Sequence, residues 1–191
     1  GYNDINKIGY LKSESPLRDV RGVLWMLGMA CLLFWGCASE NSLEKEPYVS
    51  YLEGFNIHPP SGWEIMEGTP GALVVFVGPE LETTVGKVFV PNIVVGSAGS
   101  QDFELMDIVE SARNSIPPGI ELIGETSVKL HGRPAYIFES TLSQQGLTIM
   151  NLQLIMVREG QPYFVTATAP EQHWGNLESV LESSLRSFEL D

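Results

Sequence analysis

Residues 120–169 restrict the possible folds more than any other part of the chain. Four apolar segments, Ile120–Leu130, Arg133–Leu142, Leu147–Arg158 and Gln161–Ala169, are separated only by His131-Gly132, Gln144-Gln145-Gly146 and Glu159-Gly160. Connections this short cannot carry a crossover, so consecutive segments pair antiparallel. The four strands form a meander, and the rest of the chain has to pack on it. In the first strand the residues alternate. Ile120, Leu122, Thr126, Val128 and Leu130 are expected on one face, and Glu121, Glu125, Ser127 and Lys129 on the other.

Earlier segments are also rich in β-formers. Tyr48–Pro60 holds a short strand that ends at Pro59-Pro60, and the almost unbroken apolar run Ala72–Val77 predicts a strand buried on both faces. Val85–Val95 carries Pro91, which has no N–H to give a ladder and is expected to confine that region to a sheet edge or a bulge.

Two segments have helical period instead. In residues 101–116, Leu105, Val109, Ala112 and Ile116 fall on one face, with Asp102 and Glu104 in the first turn and Pro117-Pro118-Gly119 as the stop. In residues 170–188, Trp174, Leu177, Leu181, Leu185 and Phe188 form one stripe, and Pro170 suits the first turn. A single apolar stripe makes each helix lie flat on a sheet. The order βββ-α-ββββ-α therefore predicts an α+β domain over residues 48–191, with no internal repeat.

The N-terminal part reads as an address. Arg18 and Arg21 precede the apolar run Val23–Trp35, which leads into Gly36-Cys37-Ala38-Ser39. This is the pattern of an export signal, and the run falls short of the roughly 20 residues a spanning helix needs. Leu33-Phe34-Trp35-Gly36-Cys37 resembles a bacterial lipobox, which makes Cys37 the candidate for lipidation. Cleavage after Ala38 or retention as an anchor are the competing outcomes. Residues 1–17, which begin with Gly1, read as the product of a truncated or mis-started gene. Residues 1–37 are thus expected to be extension and signal, and 38–47 a tether.

Composition narrows the chemistry. At 43% apolar and 18% charged the chain has a core to bury. Beyond Cys37 it holds 7 Lys/Arg against 21 Asp/Glu, which argues against nucleic acid or unaided binding to anionic lipid. No cysteine follows Cys37, so disulfides, thiol catalysis and cysteine metal sites are excluded from the domain. His58, His131 and His173 lack the spacing of a zinc protease and are expected as solvated surface residues. Asp102, Glu104 and Asp107 lack the glycine and alternating oxygen ligands of a calcium loop, and are read as helix-start charge. Trp63, after Gly62, is expected to cap the core and Trp174 to lie in it. No Gly-x-Ser-x-Gly elbow is present, and Gly96-Ser-Ala-Gly99 is too short for a phosphate loop and lacks its lysine. Neither a catalytic residue, nor a metal, nor a cofactor is expected.

Gly54-Phe55-Asn56-Ile57-His58-Pro59-Pro60-Ser61-Gly62-Trp63 is similar to the opening of PsbP-like domains: an apolar strand, proline, a small residue, glycine and tryptophan. Tyr163–Ala169, Trp174 and Leu185-Arg-Ser-Phe188 resemble the closing strand and helix of the same family. Asn92–Val95, Leu122-Ile123 and Gly132–Tyr136 match more loosely, so the resemblance spans roughly residues 50–190. It implies a Mog1/PsbP-like sandwich, a central antiparallel sheet of about six to seven strands flanked by helices, and a non-enzymatic role. Family members include a photosystem II subunit of the thylakoid lumen and bacterial envelope lipoproteins. The expectation is an exported accessory protein at a membrane surface, anchored through lipid on Cys37. Its partner would be a membrane protein complex, with divalent cations as a further candidate ligand. The rival readings are an extrinsic lumenal subunit or assembly factor of photosystem II, and a small envelope ligand-binding protein or hydrolase.

Overall fold

The structure, a computed structural model, describes residues 42–99 and 102–191. In chain order its strands are β1 (Tyr48–Ser50), β2 (Phe55–Ile57), β3 (Glu64–Met66), β4 (Val74–Val77), β5 (Leu81–Glu82), β6 (Val88–Phe89) and β7 (Asn92–Ser97). Helix α1 (Leu105–Arg113) follows, then β8 (Ile120–Leu130), β9 (Arg133–Gln144), β10 (Leu147–Arg158), β11 (Gln161–Pro170), helix α2 (Glu171–Arg186) and β12 (Glu189–Leu190). The meander is present, and β11 pairs with β7 to extend it into a seven-stranded antiparallel sheet ordered β3-β4-β7-β11-β10-β9-β8. Leu154 at its centre faces Ile137 on one side and Val165 on the other. All four residues of β4 are buried, as a continuous apolar run requires.

Period-two alternation divides the core between the two faces. On one face Phe76, Ile93, Leu154 and Val165 pack under Trp174, Leu181 and Leu185 of α2. The small sheet β1-β2-β12 completes that layer through Phe55, Ile57 and Leu190, with the Phe55 and Phe188 rings 5.4 Å apart. On the opposite face Ile108, Val109 and Ala112 of α1 cover Tyr136, Phe138, Ile155 and Phe164.

Three sequence expectations are corrected. First, the apolar residues of β8 do not share one face. Leu122 pairs with Ser140 and Gly124 with Glu139, which leaves Ile123 as an extra residue in a bulge. Since one residue of slip exchanges the faces, Leu122 packs with the α1 cluster, whereas Val128 and Leu130 pack with the α2 cluster. Thr126 is exposed.

Second, Pro91 does not place its segment at an edge. The segment splits there. Val88-Phe89 joins a two-stranded ribbon with β5, while Asn92–Ser97 runs in the interior between β4 and β11. Pro91 stands at the junction, where no ladder bond needs its missing N–H, and its carbonyl accepts the Gly78 N–H at 2.8 Å.

Third, α1 is shorter than residues 101–116. Glu104 is its N-cap, so Asp102 lies before the helix, and Asn114 caps the other end ahead of Ile116. Asp102 takes a φ of +55°, and its backbone fills the space a Cβ on Gly160 would need. Residues 102–104 are thereby folded against the β10–β11 turn and leave the helical path. α2, by contrast, follows its stripe closely, with Pro170 as N-cap and Phe188 just beyond its end.

Candidate functional site

Cys37, the candidate lipidation site, and the signal lie outside the described residues. From Ser42 onward the last residues of the expected tether already lie on the domain. Leu43 bridges to Pro60, the Glu44 N–H donates to the Pro59 carbonyl at 2.8 Å, and the Glu44 carboxylate accepts the Gly62 N–H at 2.7 Å. Around this entry Ser42, Leu43, Glu44, Ser61 and Gly62 line an open surface basin of about 590 Å³.

His131 is exposed and His58 and His173 are half-buried, and all three keep surface positions. Each sits within bonding distance of a backbone carbonyl from another segment. Nδ1 of His58 lies 2.9 Å from the Glu44 carbonyl, Nε2 of His131 3.3 Å from that of Arg186, and Nε2 of His173 2.8 Å from that of Glu82. A carbonyl only accepts, so each contact links two segments in the tautomer that carries the proton on that nitrogen, while Nε2 of His173 also lies 3.0 Å from the Gln172 amide nitrogen. The three rings are also far apart in topology: the entry segment, the β8–β9 turn and the start of α2.

The acidic residues near α1 act at the helix start, as expected. Glu104 and Asp107 form a reciprocal capping box, with Asp107 receiving the Glu104 N–H. Trp63 is buried in the α2-side core, and its indole lies where a Cβ on Gly78 would sit. Trp174 is buried in the same core, and its Nε1 has no hydrogen-bond partner among the described residues.

Two polar arrangements were not legible in the sequence. Arg113, at the end of α1, donates to Glu125 at 2.6 Å and to the Tyr136 hydroxyl at 2.6 Å. Glu125 reaches α1 only because it follows the bulge. On the other face, Glu139 lies in a recess of about 90 Å³ between α2 and the β8–β9 edge. Gly124 leaves room for its carboxylate, since a Cβ there would come within 3.0 Å of Oε2. Burial pushes the Glu139 carboxyl upward in pKa, and the charges of Glu178 and Glu182 push it further. Glu182 is itself paired with Arg186 at 2.7 Å. The recess is far smaller than the several hundred Å³ typical of organic ligand sites. Among the described residues, no group of three His, Cys, Asp or Glu is placed to hold a metal ion.

Among the described residues the most exposed large apolar side chains are Tyr51, at 90%, and Leu52, at 93%, on the turn between β1 and β2. Sequence reasoning passed over them, because Tyr48–Pro60 reads as one strand when the partner of each half is unknown.

Comparison with known proteins agrees with this architecture. The sequence profile of the PsbP family matches residues 44–190. CyanoP of Thermosynechococcus vestitus is 29% identical over 174 residues, covering 85% of this chain and 93% of that protein. Among solved structures, the cyanobacterial PsbP (CyanoP) of Synechocystis sp. PCC 6803 superimposes with a TM-score of 0.54 at 19% identity, covering 84% of this chain and 99% of its own. LpqN, a Mycobacterium tuberculosis protein involved in cell envelope biogenesis, superimposes with a TM-score of 0.58 at 15% identity, covering 78% and 91%. Identities this low carry the fold alone, but the family match spans the whole described domain. The chain belongs to the PsbP family.

Proposed function

We propose that this chain is a non-enzymatic, exported accessory protein that binds a membrane-embedded protein complex and is held near it by lipid on Cys37. The observation that carries this reading is the PsbP match across residues 44–190, placed directly after a signal-like segment that ends in Gly36-Cys37. The Glu139 recess, at about 90 Å³, is small for an organic substrate, which supports a binding role over a catalytic one. The expected address is the extracytoplasmic face of a membrane. A single acyl chain binds only marginally, so a stable anchor on Cys37 requires the multiple chains of a bacterial lipoprotein.

The similarity to CyanoP favours one specific form of this reading, an extrinsic subunit or assembly factor of photosystem II on the lumenal side of the thylakoid. The test has two parts. Intact mass of the membrane-extracted protein should show a diacylglyceryl-type increment on a chain beginning at Cys37, absent in Cys37→Ala. A chain beginning at Ser39 would remove the anchor. Co-purification with photosystem II from a photosynthetic host would support the specific form, and a non-photosynthetic host would end it.

A further inference from the structure

The turn between β1 and β2 carries large apolar side chains where a hairpin tip ordinarily carries small polar ones. It reads Tyr51-Leu52-Glu53-Gly54, and its first two side chains are almost wholly exposed. The backbone beneath them is nevertheless held tightly. The Gly54 N–H donates to the Ser50 carbonyl at 2.8 Å. Arg158 reaches across from β10 and donates to the carbonyls of Gly54, at 2.6 Å, and Glu53, at 3.0 Å. The Tyr163 hydroxyl donates to the Glu53 carbonyl at 3.1 Å, and the Asp191 N–H donates to that of Gly54 at 3.1 Å. An exposed apolar pair on so constrained a turn is preorganised: burying it against a partner costs little further backbone entropy.

Charge defines the partner. Glu53 and Asp191 belong to the segments that meet at this turn. The cations there are engaged inward, Arg158 on the turn carbonyls and Arg133 on the Asp191 backbone carbonyl at 3.0 Å. The surface is therefore an apolar knob with an acidic rim on a chain of net charge −13. Its complement is a concave apolar pocket rimmed by Lys and Arg on a protein, whereas an anionic lipid surface would repel the rim. Position agrees with this. Leu43, where the described chain begins to follow the domain, bridges to Pro60 at the far end of β2, and residues 43–51 can span up to about 26 Å. The described chain thus joins the domain at one end of this hairpin, and the Tyr51–Leu52 tip lies at the other.

We infer that Tyr51 and Leu52 form the docking knob of this protein, inserted into a basic-rimmed apolar pocket of its membrane-embedded partner complex. This rests on the accessory-protein reading above, with photosystem II as the complex to be tested. The full chain is expressed in a cyanobacterium, thylakoid membranes are solubilised in mild detergent, and the fraction of the chain migrating with photosystem II on a density gradient is measured. The double variant Tyr51→Ser/Leu52→Ser is expected to lose about tenfold or more of that fraction, as removal of a central apolar anchor does. The conservative pair Tyr51→Phe/Leu52→Met should restore it, and raised salt should weaken it. Val88→Ser, at another half-exposed apolar position, should leave it unchanged. Both tip positions face solvent, so matching thermal melts of the variants and the wild type will show that the fold is kept.

If the double variant migrates with the complex as the wild type does, the knob is wrong and the accessory reading stands. If the wild type itself stays off photosystem II, that partner falls and the knob assignment falls with it. A full chain carrying Cys37→Ala that binds protein-free phosphatidylcholine vesicles through Tyr51 and Leu52 would assign the tip to lipid and overturn the protein pocket.

Discussion

The guanidinium of Arg158 occupies the place where a Cβ on Gly54 would be: Nη1 lies 2.5 Å from that position and donates to the Gly54 carbonyl at 2.6 Å. The glycine is thus required twice, once for its φ of +64° and once for the close approach of the arginine. Gly54→Ala is expected to destabilise the domain by about 2 kcal/mol, of which the left-handed backbone accounts for about 1 and the displaced Arg158 bonds for the rest. Chemical denaturation of Gly54→Ala, Arg158→Met and the double variant checks this. The two losses should be strongly non-additive, because both break the same contact.

Gly175 lies inside α2 with open space around it and no positive φ. Nothing in the fold needs a glycine there, and glycine lowers helix stability by about 1 kcal/mol relative to alanine. Gly175→Ala should therefore raise the melting temperature by a few degrees, read by calorimetry.

Trp174 fills the core between α2 and the sheet but leaves its Nε1 N–H without a partner among the described residues. A buried unpaired donor carries a penalty of about 1–3 kcal/mol, which Trp174→Phe would relieve while removing some packing. The two effects oppose, so Trp174→Phe is expected within about 1 kcal/mol of the wild type. Trp174→Ala should cost about 3–5 kcal/mol. Urea unfolding of both variants distinguishes packing from the unpaired N–H.

Glu139 is raised in pKa by burial first and by Glu178 and Glu182 second. Its folded state therefore holds the proton more tightly than its unfolded state, so stability from this group is present at low pH and declines as pH rises through the ordinary carboxylate range to the higher folded value. Glu139→Gln should raise stability at pH 7, by less than about 1 kcal/mol because the recess is partly solvated, and should flatten the dependence between pH 4 and 7. Melting temperatures measured across that window check the sign.

Ile123 is the extra residue of the β8 bulge, and it is half-exposed. Deleting it leaves Leu122 opposite Ser140 and Gly124 opposite Glu139, so both flanks keep their partners and faces. The deletion is expected to preserve a cooperative fold at a cost below about 2 kcal/mol. Leu122→Ala and Val128→Ala should each lose stability through a different helix, Leu122 coupling to the α1 cluster and Val128 to the α2 cluster. Double-mutant cycles with Ile108→Val and Leu181→Ala test that division.

Much of this was legible in the chain itself. The turns at His131-Gly132, Gln144–Gly146 and Glu159-Gly160 made the meander unavoidable, because strands joined so tightly have one pairing open to them. The buried run Val74–Val77 and the stripe from Trp174 to Leu185 were set by period alone. The motifs around Trp63 and Phe188 were sufficient to place the chain in its family. The proposal of lipid on Cys37 likewise rests on local sequence.

Sequence periodicity could not see relationships that depend on a partner strand. Pro91 reads as an edge residue until β4 and β11 are found on either side of Asn92–Ser97. The alternation in β8 reads as one face until β9 leaves Ile123 unpaired, and every later side chain then changes side. The histidines read as surface residues, and only the fold brings carbonyls of distant segments within their reach. Local period determined which segments are strands and helices, because it depends only on neighbours along the chain. Registers, the histidine contacts, the Glu139 recess and the pinned Tyr51–Leu52 tip were decided by the tertiary structure, because each depends on residues that meet only when the sheet closes.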